Sequence, residues 1–191
     1  TMNSIHPRTL RSQNTFVRLD SPSLLASELV LVVTMLPLKF DRAIDFDFEQ
    51  INTRLQRTAF LNGGLQIILR DLRGEDPVEI DHTYDGGLKE YVTQMNSKRN
   101  KIHDDVVHIF GSKEGDKGEV HVEIALQWTD SYSESIDCFT NIIHNVDGGT
   151  HMSGLRSSLT RTVNSYAQSK KLLKNLSSLS GDDVREGLGA V

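Results

Sequence analysis

Residues 147–166, DGGTHMSGLRSSLTRTVNSY, decide how the chain is read. Gly148 and Gly149 give a backbone that can turn without a Cβ penalty, and Thr150 stands where a side chain can cap a first helical turn. An amphipathic helix is predicted to follow. Its apolar stripe is Met152, Leu155, Leu159, Val163 and Tyr166, at spacings of three and four, with Arg156, Ser157, Thr160, Arg161 and Asn164 on the remaining surface. Such a strand-to-helix junction predicts a helix lying against a sheet.

Ahead of it, Leu29 to Leu36 is rich in Val and Leu and reads as a strand ended by Pro37, followed by a polar connector from Asp41 to Asp45. Asp47 with Gln50 makes a capping-box-like start for a helix striped by Phe48, Ile51, Leu55 and Ala59, with Arg54 and Arg57 on its polar side. Leu65 to Arg70 and Val78 to Tyr84 read as a hairpin, and Leu88, Tyr91, Val92 and Met95 as a helix ending in the solvated cations Lys98, Arg99 and Lys101. Val106 to Phe110 is a strand, and Val120, Val122, Ile124 and Leu126 alternate with His121, Glu123 and Gln127, which predicts one buried and one wet face closed by Trp128. Ile136 to Ile143 is read as one more strand. Beyond the central helix, Gln168 to Lys174 is basic, with Leu172, Leu173, Leu176 and Leu179 continuing an apolar pattern. Ser180 to Asp183 matches a capping box, and Val184, Leu188 and Val191 then read as a further helical stripe in which the chain stops. The elements together predict α+β or mixed α/β, with helices on one face of a sheet.

With 191 residues and 37% hydrophobic content the chain is long enough for one well-buried core. A formal charge of −5 and a pI near 5.8 argue against a protein that coats nucleic acid over its whole surface, so nucleic-acid contact requires a local basic patch. The lone Cys138 excludes an internal disulfide framework, reads as a buried thiol, and makes the cytoplasm the default compartment. The run from Leu24 to Leu38, interrupted by Ser27, Glu28 and Thr34, falls short of the ~20 apolar residues of a membrane span. Residues 1 to about 30 show no sustained period and are expected to add little to folding. Beginning at Thr1 and stopping at Val191, the chain reads as a piece of something longer.

None of the seven histidines forms a pair with HExxH spacing, and no P-loop, nucleophile elbow or singled-out carboxylate pair is present. Asp182 and Asp183 stand at a helix N-terminus, where carboxylates usually cap. The residues alone therefore name no catalytic site and no metal site.

Long, ordered words carry a resemblance: FDFEQINTRLQRTAFLN (46–62), YDGGLKEYV (84–92), VEIALQW (122–128), DGGTHMSGLRSSLTRT (147–162) and SGDDVREGL (180–188). Over about residues 34 to 191 the chain resembles the second domain, called the transducer, of the B subunit of bacterial DNA gyrase and topoisomerase IV. The resemblance implies a fold like ribosomal protein S5 domain 2, a sheet covered on one side by helices with an unusual left-handed crossover. It also implies a division into residues 1–33, a leader or remnant of the preceding ATPase domain, and residues 34–191, a transducer cut before its C-terminal end. The implied parent is an ATP-dependent type II DNA topoisomerase that couples ATP hydrolysis to strand passage and supercoiling. ATP and Mg²⁺ would be its cofactors, bound outside this chain. Its partners would be DNA, a gyrase A-type subunit and a second copy of itself, with no membrane.

In that family, arginines near the start of the DGGTH helix face the cavity that holds DNA, and Arg156 is the matching position. A guanidinium suits bidentate phosphate contact. Arg161, Lys170 and Lys171 are further DNA-facing candidates, with Lys174 weaker. Arg161 lies about 140° round an ideal helix from Arg156, so the two are not expected to point at one spot, and one is open to a structural pairing. The alternatives are an S5-like domain of a mismatch-repair or chaperone ATPase and a stand-alone interaction module; VEIALQW and DGGTHMSGLRSSLTRT together speak against them.

Overall fold

The computed structural model describes residues 17–18, 30–35, 47–73, 75–116, 118–174 and 176–191. The connector expected at Asp41 to Asp45, and all of the first thirty positions except Val17, Arg18 and Val30, lie outside the described residues. The chain divides into two compact units, one running to Ala59 and resuming from Gly64 to Thr83, the other made of Phe60–Gly63 and Tyr84–Val191.

The first unit carries β1 (Val17–Arg18), β2 (Val30–Met35), most of α1 (Phe48–Leu61), β3 (Gln66–Asp71) and β4 (Val78–Thr83), in the sheet order β1-β2-β3-β4. β2 crosses position 33, and β3 lies parallel to it from Val30↔Gln66 to Met35↔Asp71. β3 and β4 form the expected antiparallel hairpin. At the start of α1 the Asp47 carboxylate accepts the Gln50 backbone N–H at 3.1 Å and the Gln50 side-chain amide at 3.0 Å. Phe48, Ile51 and Leu55 pack on the fully buried Leu69, as the helical stripe requires. The helix ends at the Asn62-Gly63-Gly64 turn, where Gly64 takes a φ of +83°. On β4, His82 is 3% exposed and its Nε2 donates to Asn52 Oδ1 at 2.7 Å.

The second unit contains α2 (Gly87–Met95), β5 (Val107–Gly115), β6 (Gly118–Trp128), β7 (Ser135–Ile136), β8 (Phe139–Thr140), β9 (Ile143–His144), α3 (Thr150–Ser169), α4 (Gly181–Arg185) and β10 (Leu188–Ala190). Its main sheet has the order β5-β6-β10-β7, with β10 antiparallel to β6 and parallel to β7. One core joins Phe60, Leu88, Tyr91, Val92 and Ala125, with Phe60 stacked on Tyr84 and Tyr91 at ring separations of 3.7 and 4.8 Å. The other joins Leu126, Leu188 and Ala190 with Trp128, Ile136 and Leu159 of α3.

Because Ala125 and Leu126 point to opposite sides of one strand, α2 and α3 cover opposite faces of this sheet. The mixed α/β class stands, but helices on one face only do not describe the second unit, because β6 is apolar on both faces where the layers meet it.

Five local readings are corrected. Residues 136–143 form no single strand: Asn141 takes a φ of +54° and folds β8 back on β9. The stripe at Val184, Leu188 and Val191 is not a helix; Gly187, at φ +73°, ends α4 and turns the chain into β10, whose three residues are all buried. β6 has no single wet face, since Gln127 is fully buried while Val120 and Val122 are 57% and 51% exposed, lying beyond the layers that cover its base. The N-cap of α3 is Gly149, with no side-chain cap from Thr150. Tyr166 is exposed, and the buried residue at that end of α3 is Ala167.

The packing makes two positions testable. A Cβ on Gly187 would lie 2.1 Å from the Thr129 carbonyl oxygen in a left-handed backbone, so Gly187→Ala should lower the unfolding free energy by about 3 kcal/mol in a denaturant titration. Burial pushes the His82 imidazole below its ordinary pKa, against the opposing charge of Asp81. The unfolded chain therefore binds the proton first, and stability should fall as pH drops below about 6.5. His82→Gln, which keeps a donor for Asn52 and cannot titrate, should flatten that part of a melting-temperature profile.

Candidate nucleic-acid interface

The site grows from the start of α3. Gly148, at φ +72°, donates its N–H to the Asn145 carbonyl at 2.9 Å and sets the turn from β9 into the helix. Ser153, Arg156, Ser157, Thr160 and Arg161 then line an open cleft of about 510 Å³, closed on its other side by Arg185 of α4. Arg156 and Arg161 do share this cleft, because their long side chains reach round a shallow surface that the helix axis alone would divide.

α4 holds Arg185 in place. Ser180 Oγ accepts the Asp183 N–H at 3.1 Å while an Asp183 carboxylate oxygen accepts the Ser180 N–H at 2.9 Å, the expected capping box. These hydrogen bonds from Ser180 hold the Asp183 carboxyl below the usual carboxylate range. Trp128 Nε1 donates to the Val184 carbonyl at 3.0 Å and fixes the helix to the sheet. Upstream on the same surface, Asn164 Nδ2 donates to the Leu179 carbonyl at 3.0 Å and its Oδ1 accepts the Leu179 N–H at 2.7 Å, binding the segment before α4 to α3.

Glu134, between β6 and β7, joins the two helices. One carboxylate oxygen accepts from Arg156 Nη2, and the other from Arg185 Nε at 2.8 Å; Arg185 Nη2 also reaches Asp182 at 2.9 Å. Arg156 is thus the arginine with a structural pairing. Its Nε is buried without a hydrogen-bond partner, and Arg161 is exposed with no ion-pair partner among the described residues. Arg156 and Arg185 pair with Glu134, Arg185 also with Asp182, and Ser153, Ser157 and Thr160 line the same cleft as the three arginines, whose guanidinium groups suit phosphate oxygens.

Lys170 and Lys171 are not brought to this cleft. Lys170 is the C-cap of α3, fourteen positions and about 21 Å along the axis from Arg156, and Lys171 takes a φ of +54° just beyond it. They stand beside a different groove, lined by Val163, Tyr166, Ala167, Leu172, Leu176 and Lys174 among others. Sequence reasoning missed Arg185 and Glu134. Arg185 lies inside SGDDVREGL, where the capping box draws attention to the acids; Glu134 sits in an irregular segment with no period to mark it.

No group of three or more His, Cys, Asp or Glu residues that could hold a metal occurs among the described residues. The two glycine junctions that open α2 and α3 do not present free N–H groups to a phosphate at Gly86 and Gly148. At the start of α2 the Gly86 N–H is taken by the Glu90 carboxylate at 3.1 Å, and Gly148 spends its N–H on Asn145. Cys138 is buried, which pushes its thiol pKa up, as a structural rather than reactive cysteine requires.

The sheet-and-helix arrangement is shared with solved structures of gyrase B and of a topoisomerase IV ATP-binding domain. The 43K ATPase domain of Thermus thermophilus gyrase B, in complex with an aminocoumarin, matches with a TM-score of 0.65 at 30% identity, covering 78% of this chain and 39% of that one. The DNA gyrase B protein from Myxococcus xanthus shares the fold at a TM-score of 0.62 and 23% identity, covering 78% of this chain and 40% of that one. The DNA gyrase B protein of Enterococcus faecalis is 41% identical over 156 residues, 81% of this chain and 24% of that protein, and its counterpart in Synechocystis is 40% identical over 154 residues, 80% of this chain and 14% of that protein. The family model described as DNA gyrase B matches residues 87–191. The chain belongs to the DNA gyrase B family. It spans only 24% and 14% of the length of those two relatives.

Two of the three arginines of the cleft, Arg185 and Arg161, should differ in their structural weight. Arg185 is 14% exposed and hydrogen-bonds two carboxylates, so Arg185→Met should cost about 1.5 kcal/mol of stability, whereas Arg161→Met should stay within about 0.5 kcal/mol. Paired denaturant titrations measure both.

Proposed function

We propose that this chain is part of the B subunit of an ATP-dependent type II DNA topoisomerase of the gyrase kind, within the transducer that connects nucleotide state to passage of a DNA segment. The arginine cleft on α3 carries this reading: Arg156, Arg161 and Arg185 converge beside hydroxyl groups on an otherwise acidic chain. The guanidinium groups grip backbone phosphates without reading base sequence. Arg161 supplies a cation at the rim with no ion-pair partner among the described residues, Arg156 a fork closer to the helix start, and Arg185 a fixed positive edge. Lys170 and Lys171 add a second, separate positive area at the far end of the same helix.

In this reading ATP and Mg²⁺ are bound by the parent protein in residues other than those described, and closure of the nucleotide region is transmitted through the sheet to α3. A gyrase A-type subunit and a second copy of the protein complete the enzyme, in a bacterial cytoplasm or an organelle derived from one. The domain reading of 34–191 as transducer is retained as part of the same proposal. A mismatch-repair or chaperone parent is disfavoured by the match of residues 87–191 to the gyrase B family.

The chain alone should bind duplex DNA weakly, without sequence preference, and with strong salt dependence, since it can neutralise only a few phosphates. Fluorescence anisotropy with short duplexes of unrelated sequence tests this, and Arg161→Ala should weaken binding to all of them alike by about threefold. Equal affinity at low and high salt, or no loss in Arg161→Ala, would sink the assignment. Titration calorimetry with a non-hydrolysable ATP analogue should show no binding to this chain; micromolar binding would mean that the nucleotide site is misplaced.

A further inference from the structure

We infer that Glu134 is an internal competitor for phosphate at the arginine cleft: its carboxylate occupies Arg156 in the free protein and must be displaced before Arg156 can grip DNA. The inference rests on the reading of the cleft as a phosphate site. A carboxylate and a phosphate present the same kind of acceptor pair to a guanidinium, so one can substitute for the other at a single arginine. Glu134 uses its two oxygens on two different arginines, Nη2 of Arg156 and Nε of Arg185. It therefore engages Arg156 through one nitrogen only, and Arg156 Nε is left buried without a partner. The fork of Arg156 is incompletely satisfied in this arrangement, and a phosphate offers it more acceptors than Glu134 does.

The exchange is one-sided. Arg185 is only 14% exposed and is held from a second side by Asp182, whereas Arg156 is 37% exposed and has Glu134 alone as its ionic partner among the described residues. When Arg156 swings out, Glu134 retains Arg185 at 2.8 Å and is not left as an uncompensated carboxylate. Removing one partner of a buried pair is costly because the other charge is orphaned; the triad Arg156–Glu134–Arg185 avoids that cost for Glu134. Arg161, without an acidic partner among the described residues, is free to make the first contact. Glu134 thereby raises the local DNA concentration required before the second arginine joins, and it makes the cleft discriminate against isolated phosphates.

The test is a double-mutant cycle on the full chain with one short random-sequence duplex, read by fluorescence anisotropy over a range of salt. Glu134→Gln should tighten binding about fivefold at low salt, and the plot of log Kd against log salt should steepen by about 0.9, the signature of one more neutralised phosphate. In an Arg156→Ala background the same substitution should change Kd by less than about 1.5-fold, because the group that Glu134 restrains is gone. A tightening of equal size in both backgrounds would reduce Glu134 to a general repulsive charge and overturn the inference, as would no tightening in the wild-type background. Glu134→Asp, which draws the carboxylate back by one methylene while keeping its charge, separates the two effects if Glu134→Gln fails to fold. Release predicts tighter binding for it too, and an unchanged affinity overturns the inference. Failure of the underlying reading has a different signature: wild-type binding that is insensitive to salt and to Arg161→Ala.

Discussion

β10 is the element on which the second unit depends. Its three residues lie between β6 and β7, hydrogen-bonded to both, and all three are buried. The turn that delivers it is pinned from two directions: Thr129 donates both its backbone N–H, at 2.8 Å, and its Oγ1, at 3.0 Å, to the Gly187 carbonyl. No side chain fits at Gly187, because the Thr129 and Ser131 carbonyl oxygens occupy the space a Cβ would take. That one turn fixes α4 on one side and the Ser131–Glu134 segment on the other. Arg185 and Glu134 meet because this short strand holds both of their segments to the same sheet.

A second constraint lies on the opposite face. Asn96 and Gln127 are fully buried, and Asn96 Nδ2 donates to Gln127 Oε1 at 3.2 Å. Gln127 in turn donates to the carbonyls of His103 and Asp104, and the Trp128 N–H donates to His103 Nε2 at 3.0 Å. The imidazole thus accepts at Nε2 and, through Nδ1, donates to the Asp105 carbonyl at 2.7 Å, which fixes its tautomer. Gly189 has no side chain because Asn96 stands within 2.5 Å of where a Cβ would be. These polar groups tie the irregular segment after α2 to β6 in a single register, which an apolar contact would leave free to slide.

Much of this is legible in the sequence, for physical reasons that can be separated from those that hide the rest. Long periodic elements are clear: α1 through Phe48, Ile51 and Leu55, α2 through Leu88, Tyr91 and Val92, and α3 through Met152, Leu155 and Leu159 all bury faces that repeat every three or four residues. The capping box at Ser180 is clear because both of its partners lie within four positions. β10 is not, because Val184, Leu188 and Val191 repeat at helical spacing, and a fully buried strand shows no alternation to contradict them. The period of two assigns Gln127 to water, whereas tertiary packing places a polar layer above it. At the cleft, Arg156 and Arg161 are singled out through the family resemblance, but their environment is not legible: Glu134 is twenty-two positions from Arg156 and fifty-one from Arg185, and no local pattern links them.

The charge balance explains why such a cleft belongs on this chain. With a formal charge of −5 this chain offers a duplex no general positive field, so the proposed contact with DNA cannot rest on one. It must rest on short-range forks that act only once a phosphate has arrived, and arginine suits that role better than lysine because its planar donors are oriented in advance. Lys170 and Lys171, at the far end of α3, contribute charge without that geometry. In the proposed reading the cleft is quiet when nothing is held in front of it, with Arg156 paired to the Glu134 carboxylate, and its full donor set is assembled only when a duplex reaches it. Under that proposal the site favours DNA that has been captured over DNA that merely passes.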